Sequence, residues 1–156
     1  MKKQILSTVT TFGLFSILAL VAAVSPAQAQ SPVSISVDVP FDFYVGDLLM
    51  PAGRYTVKRA MRDTNRTLLI AGDKEGERAA AMTAPVVGRA AKQSTLVFHR
   101  YGAEYFLRST WTMGETEGRE FSQSKQERAA RERKRQLTRQ GGEGVRPEVV
   151  EVTANR

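Results

Sequence analysis

The chain has 156 residues, 42% of them hydrophobic and 25% charged, with no cysteine and a formal net charge of +7. Without cysteine there is no disulfide, no thiolate metal site, no cysteine nucleophile and no lipid-bearing cysteine of the bacterial lipoprotein kind, so the fold rests on its apolar core alone. The length suits one domain rather than two.

The first 29 residues read as an address. Lys2 and Lys3 form a cationic start, Ile5 to Val24 is a largely apolar run, and Ser25-Pro26 leads into Ala27-Gln28-Ala29, a small-x-small cleavage site. The expectation is a signal peptide over residues 1–29 and a mature chain from Gln30, exported to the periplasm or the exterior. The rival is an uncleaved anchor, since the apolar run approaches the roughly 20 residues that span a bilayer. Pro26 and the cleavage site favour processing, and no later apolar stretch is long enough to cross a membrane. By segment, residues 1–29 carry a net +2, residues 30–124 +1, residues 125–139 +5 and residues 140–156 −1. The basicity of the exported chain thus belongs to one short segment.

From Val33 to Val45 every odd position is apolar, the period of a strand with one buried face. Pro40 cannot donate to a ladder, so this is an edge strand or two strands meeting at a bend. Gly46-Asp47 is a turn, Pro51-Ala52-Gly53 a second, and Arg54 to Lys58 an alternating strand. Asp63-Thr64-Asn65 is turn chemistry ahead of a strand over Thr67 to Ala71, and Gly72 to Gly76 is another turn. Asn65-Arg66-Thr67 matches a glycosylation sequon, but the leader looks bacterial and Asn65 reads as a turn residue. Residues 77–88 read as an irregular or edge strand, Pro85 and Val86-Val87 outweighing the helix preference of Ala79-Ala80-Ala81. Ser94 to Met113 reads as a hairpin about Gly102-Ala103. With that turn, facing pairs sum to 205: Leu96, Phe98, Leu107 and Trp111 share the core face, with Tyr105 and Met113 at its ends, while His99 faces Phe106 and Val97 faces Arg108 on the other.

After Gly118 the composition changes. Ser124-Lys125-Gln126-Glu127 has capping-box spacing, and Lys125 to Arg139 favours helix. Its only apolar residues are Ala129, Ala130 and Leu137, so it is expected to project or fray. Gly141-Gly142-Glu143-Gly144 ends it, and residues 141–156 read as a disordered tail. The fold expected is all-β, a small antiparallel sandwich or partly closed barrel over residues 30–114, followed by a basic helix with a short linker over residues 115–140 and the tail.

Two candidate sites follow. Arg128, Arg131, Arg133, Lys134, Arg135 and Arg139 form a cationic cluster able to hold a polyanion, or simply to solvate the helix. Export disfavours nucleic acid and leaves an anionic envelope polymer or a protein partner. His99, Tyr101 and Phe106 form an imidazole-aromatic patch on the non-core face, able to bind a small ligand or partner or to serve as cross-strand packing. His99 is the only histidine, and no motif sets it in a triad. Asp73 to Glu77 lacks the full ligand pattern of a calcium loop and reads as a solvated turn. No metal or cofactor is expected. A hydrolase using carboxylates such as Asp38, Asp42 or Glu104 remains the enzymatic alternative, because a carboxylate pair needs no motif.

The segments VPFDFYVGDLLMPAGRYTV (39–57), LVFHRYGAEYFLRSTWTMG (96–114) and GREFSQSKQERAARE (118–132) resemble a family of small, secreted, functionally uncharacterised acidobacterial proteins. That resemblance covers most of the mature chain and implies export, a bacterial source and a single β domain followed by a charged helix. It implies no activity. The function expected is therefore that of an exported, non-enzymatic interaction or structural protein of the bacterial envelope or exterior.

Overall fold

The computed structural model describes residues 34–60, 66–138 and 146–154. The expected signal peptide, the Asp63-Thr64-Asn65 turn and Arg139 lie outside them. The opening alternation becomes two strands. In β1, Ser34–Val39, Ile35, Val37 and Val39 are buried while the residues between them are exposed. The chain bends at Pro40, and β2, Phe43–Val45, carries Phe43 and Val45 into the same core. Of the two roles open to proline, the bend is the one that splits the run. Gly46 then adopts φ +62°, a left-handed turn that brings β3, Leu48–Met50, back against β2.

β4 (Gly53–Arg59) lies antiparallel between β1 and β5 (Thr67–Gly72), and β5 pairs with β6 (Arg78–Val87). The first half of β6 faces β5, and its second half, Thr83 to Val87, faces β9 (Glu117–Phe121). β6 therefore links β5 to β9 in the ladder, but each half is paired on one side only, the irregular pairing expected of this segment. Pro85 is accommodated because β6 has handed over its ladder from β5 to β9 by that point. β9 also carries the β domain past residue 114, through what read as a linker.

β7 (Thr95–Tyr101) and β8 (Glu104–Trp111) form the expected hairpin, turning at Gly102 with φ +66°. Near the turn the facing pairs are as anticipated, with His99 opposite Phe106 and Phe98 opposite Leu107. Beyond them the register shifts: Val97 faces Ser109 rather than Arg108, and Thr95 faces Trp111. Arg108 is the extra residue of a β-bulge. Inserting one residue into one strand exchanges the faces of everything after it. Thr110 therefore turns towards the core beside Leu96, and Trp111, expected in the core, lies on the outer face.

The ladder runs β1-β4-β5-β6-β9-β8-β2-β3, with β7 added to β8; β1 and β3 end it without pairing to each other, so the sheet is open rather than a closed barrel. It folds over as a sandwich around Val37, Val39, Phe43, Tyr55, Ile70, Leu96 and Phe98, each almost fully buried. Phe43 meets Tyr55 and Phe98 edge-on, at centroid distances of 5.0 and 5.3 Å. Burying each such side chain is worth about 1.5–3 kcal/mol, the term that must hold a cysteine-free chain together.

The last described segment is a strand, not a disordered tail. β10, Glu148–Thr153, pairs antiparallel with β7 over its whole length. Val150 and Val152 pack against the core, and the Ala154 N–H donates to the Ser94 carbonyl. The only described helix is α1, Lys125–Thr138.

Candidate functional site

β7 displays Thr95, Val97, His99 and Tyr101 on the outer face of the sheet, because its own alternation is uninterrupted. Phe106, Ser109 and Trp111 of β8 join them from one side, and Val149, Glu151 and Thr153 of β10 from the other. The two candidate sites meet on this face: α1 lies over its hairpin end and covers the aromatic patch.

The helix does not project. Tyr101, Phe106 and Ala130 form a second buried cluster, with Tyr44 packed against it. The Phe106 ring stacks on Tyr44 at 5.0 Å between centroids and meets Tyr101 edge-on at 6.0 Å. His99, Tyr101 and Phe106 thus form a helix seat, the packing role among the two readings the sequence left open. A single alanine suffices as the apolar contact because its short side chain lets the helix backbone approach the aromatic rings closely.

Polar contacts fix the rest of the helix. Ser124 Oγ accepts the Glu127 N–H at 3.0 Å, the N-cap expected from the sequence. Asp47, in the β2–β3 turn, accepts the Gln126 N–H at 3.2 Å, setting a carboxylate where the helix dipole favours one. The Glu127 side chain is buried and lies 3.2 Å from His99 Nδ1. An ionised Glu127 can only accept, and the bond then requires the proton on Nδ1. Burial, and next the Glu127 carboxylate, raise the Tyr101 hydroxyl above its ordinary pKa. Towards the far end, Arg133 pairs with Glu104 at 2.6 Å, and Lys134 Nζ donates to the Arg146 carbonyl at 3.4 Å.

At about 100° per residue, Glu127, Ala130, Lys134 and Thr138 share one stripe, which faces the protein. Arg128, Arg131 and Arg135 fall together on one flank of it and are all exposed. Among the described residues Arg128 and Arg131 form no ion pair, while Arg135 lies 3.9 Å from Glu132. Arg133 is on the opposite flank, committed to Glu104. Of the six expected cations, the structure brings three into one exposed row and uses two as anchors.

The three carboxylates of the enzymatic alternative are also engaged. Asp38 pairs with Arg54 at 2.8 Å, and Asp42 accepts the Ala52 N–H at 2.7 Å. With Glu104 held by Arg133, the three acids named from sequence are distributed over separate contacts. No group of three or more metal-ligating side chains occurs among the described residues.

Beyond the helix the same outer face is open. Trp111, Thr95, Val97, Glu151 and Thr153, with the Gly88–Gln93 loop, line a groove of about 510 Å³. The alternation rule placed Trp111 in the core, and only the bulge reveals it as part of this surface. Comparison with protein-family models, with curated proteins and with solved structures finds no match to this chain.

Proposed function

We propose that the protein is exported and acts without catalysis, holding an anionic polymer of the bacterial envelope or exterior along the flank of α1 that carries Arg128, Arg131 and Arg135. The observation behind this reading is that the three guanidinium groups stand in one exposed row along a helix whose adjoining stripe is seated on the protein. A cationic row on a docked helix presents several charges together, so a polyanion gains several contacts for one loss of translational freedom. The leader read from residues 1–29 supplies the setting, and the cysteine-free, apolar-cored sandwich supplies the support.

The test is retention on a sulfated polysaccharide matrix across a salt gradient. Deleting the helix would uncover Tyr101 and Phe106, so the informative variant is Arg128→Gln with Arg131→Gln and Arg135→Gln, which changes charge and leaves the seat intact. The reading expects the parent protein to elute at markedly higher salt than the variant. Equal elution would overturn it.

A further inference from the structure

We infer that the open end of the outer sheet face is a second binding site, a groove that takes a uronate-bearing oligosaccharide on the face of Trp111. This goes beyond the helix reading and uses none of its residues.

Trp111 is half-buried and belongs to neither core cluster. Its ring lies across Gly88 and Gly118: a Cβ added at either would sit 2.6 or 2.7 Å from ring carbons, where no side chain fits. One glycine just past the end of β6 and one in β9 thus make a flat bed for the indole. Its one polar atom is satisfied within the protein, Nε1 donating to Ser109 Oγ at 3.1 Å. The ring therefore presents an apolar face to the groove, with no unsatisfied edge.

The rest of the groove supplies what a charged sugar needs. Its volume, about 510 Å³, lies within the range of small-ligand sites. The negative π-face of an indole attracts the polarised C–H groups on one side of a pyranose ring. Arg89 and Lys92 on the rim outweigh Glu151 in charge, and none of the three is in an ion pair among the described residues. Two uncommitted cations beside an aromatic platform match a carboxylate on the sugar. Gln93 and Thr153 add amide and hydroxyl groups that can both donate to and accept from sugar hydroxyls.

Trp111 is the only tryptophan in the chain, so its fluorescence reports on this groove alone. The full chain is titrated with trigalacturonic acid and with its neutral methyl ester. The expected result is a saturable change in emission with the acid, weaker by about tenfold or more with the ester and in the Arg89→Gln, Lys92→Gln double variant. The Arg128→Gln, Arg131→Gln, Arg135→Gln variant should titrate as the parent does, so failure of the helix reading and failure of this one are told apart. Trp111→Ala, followed by calorimetry, should lose binding; if it fails to fold, the exposed Arg89 and Lys92 pair decides. An absent or non-saturable response to the acid, an ester bound as tightly, or a double variant of undiminished affinity would each overturn the proposal.

Discussion

Phe106→Ala separates a helix seat from an open binding surface. Phe106 is 2% exposed, stacked on Tyr44 and covered by Ala130 of α1. Truncating a buried phenylalanine removes its transfer free energy and leaves a cavity, together about 3–5 kcal/mol. The seat lies between a sheet and one helix held largely by polar contacts, so the helix can settle part of the way into the gap. The expected loss is therefore at the lower end, about 3 kcal/mol. It is measured by urea denaturation, following the fluorescence of Trp111 on the same sheet face. A solvent-facing phenylalanine would change stability by no more than about 0.5 kcal/mol. A loss below about 1 kcal/mol would mean that α1 does not cover this face, and the docking argument would fail.

Three further outcomes follow from the same geometry. Ala130→Glu sets a carboxylate into the buried cluster and should cost at least about 2 kcal/mol in thermal or urea unfolding, whereas Ala129→Glu, one residue away and exposed, should cost less than about 0.5 kcal/mol; equal effects would contradict the assigned helix face. Gly118→Ala should force the indole off its bed, shifting Trp111 emission and destabilising by about 1–3 kcal/mol, and unchanged emission would show that the ring does not lie there. Burial of Tyr55, helped by Glu77 and Asp42, raises its pKa to about 12. The unfolded chain releases that proton more readily than the native one, so this part of the stability is present below pH about 10 and declines as pH rises towards about 12. Tyr55→Phe should flatten that alkaline decline, and a profile of unchanged slope would refute the assignment.

Local rules made much of the sheet legible. The alternation of β1, β4 and β7, the glycine turn at Gly102 and the serine N-cap each depend on residues within a few positions of one another. The features that remained hidden depend on distant partners. Nothing around Arg108 announces a bulge, yet that one residue moves Trp111 from the core to the surface and creates the groove. The helix was visible, but its docking was not, because its seat consists of one alanine and a glutamate whose partner is His99. An acidic residue at the third helical position is ordinarily a cap, and here it serves as an anchor. β10 left a trace in Val150 and Val152, two inward residues in alternation. That trace followed a glycine-rich break and was too short to outweigh it without the β7 edge in view.

The same contrast explains the candidate sites. His99, Tyr101 and Phe106 were correctly grouped on the non-core face, since strand parity alone decides that. Their cover comes from a segment about 25 residues later in the chain, beyond the reach of parity. Among the basic residues, helical periodicity separates the row of Arg128, Arg131 and Arg135 from Arg133, but only the position of Glu104 shows that Arg133 is engaged.

The central claim is that a docked helix presents one row of arginines to a polyanion, and the most direct measurement is the salt dependence of that association. Binding to a sulfated polysaccharide is measured at several ionic strengths for the parent protein and for the Arg128→Gln, Arg131→Gln, Arg135→Gln variant, with far-UV circular dichroism confirming equal helix content. Each lost contact removes a little under one unit from the slope of log affinity against log salt in polyanion binding, so the loss of three arginines should make the variant's slope shallower by about 2.7. Parallel lines for the two proteins would contradict the account.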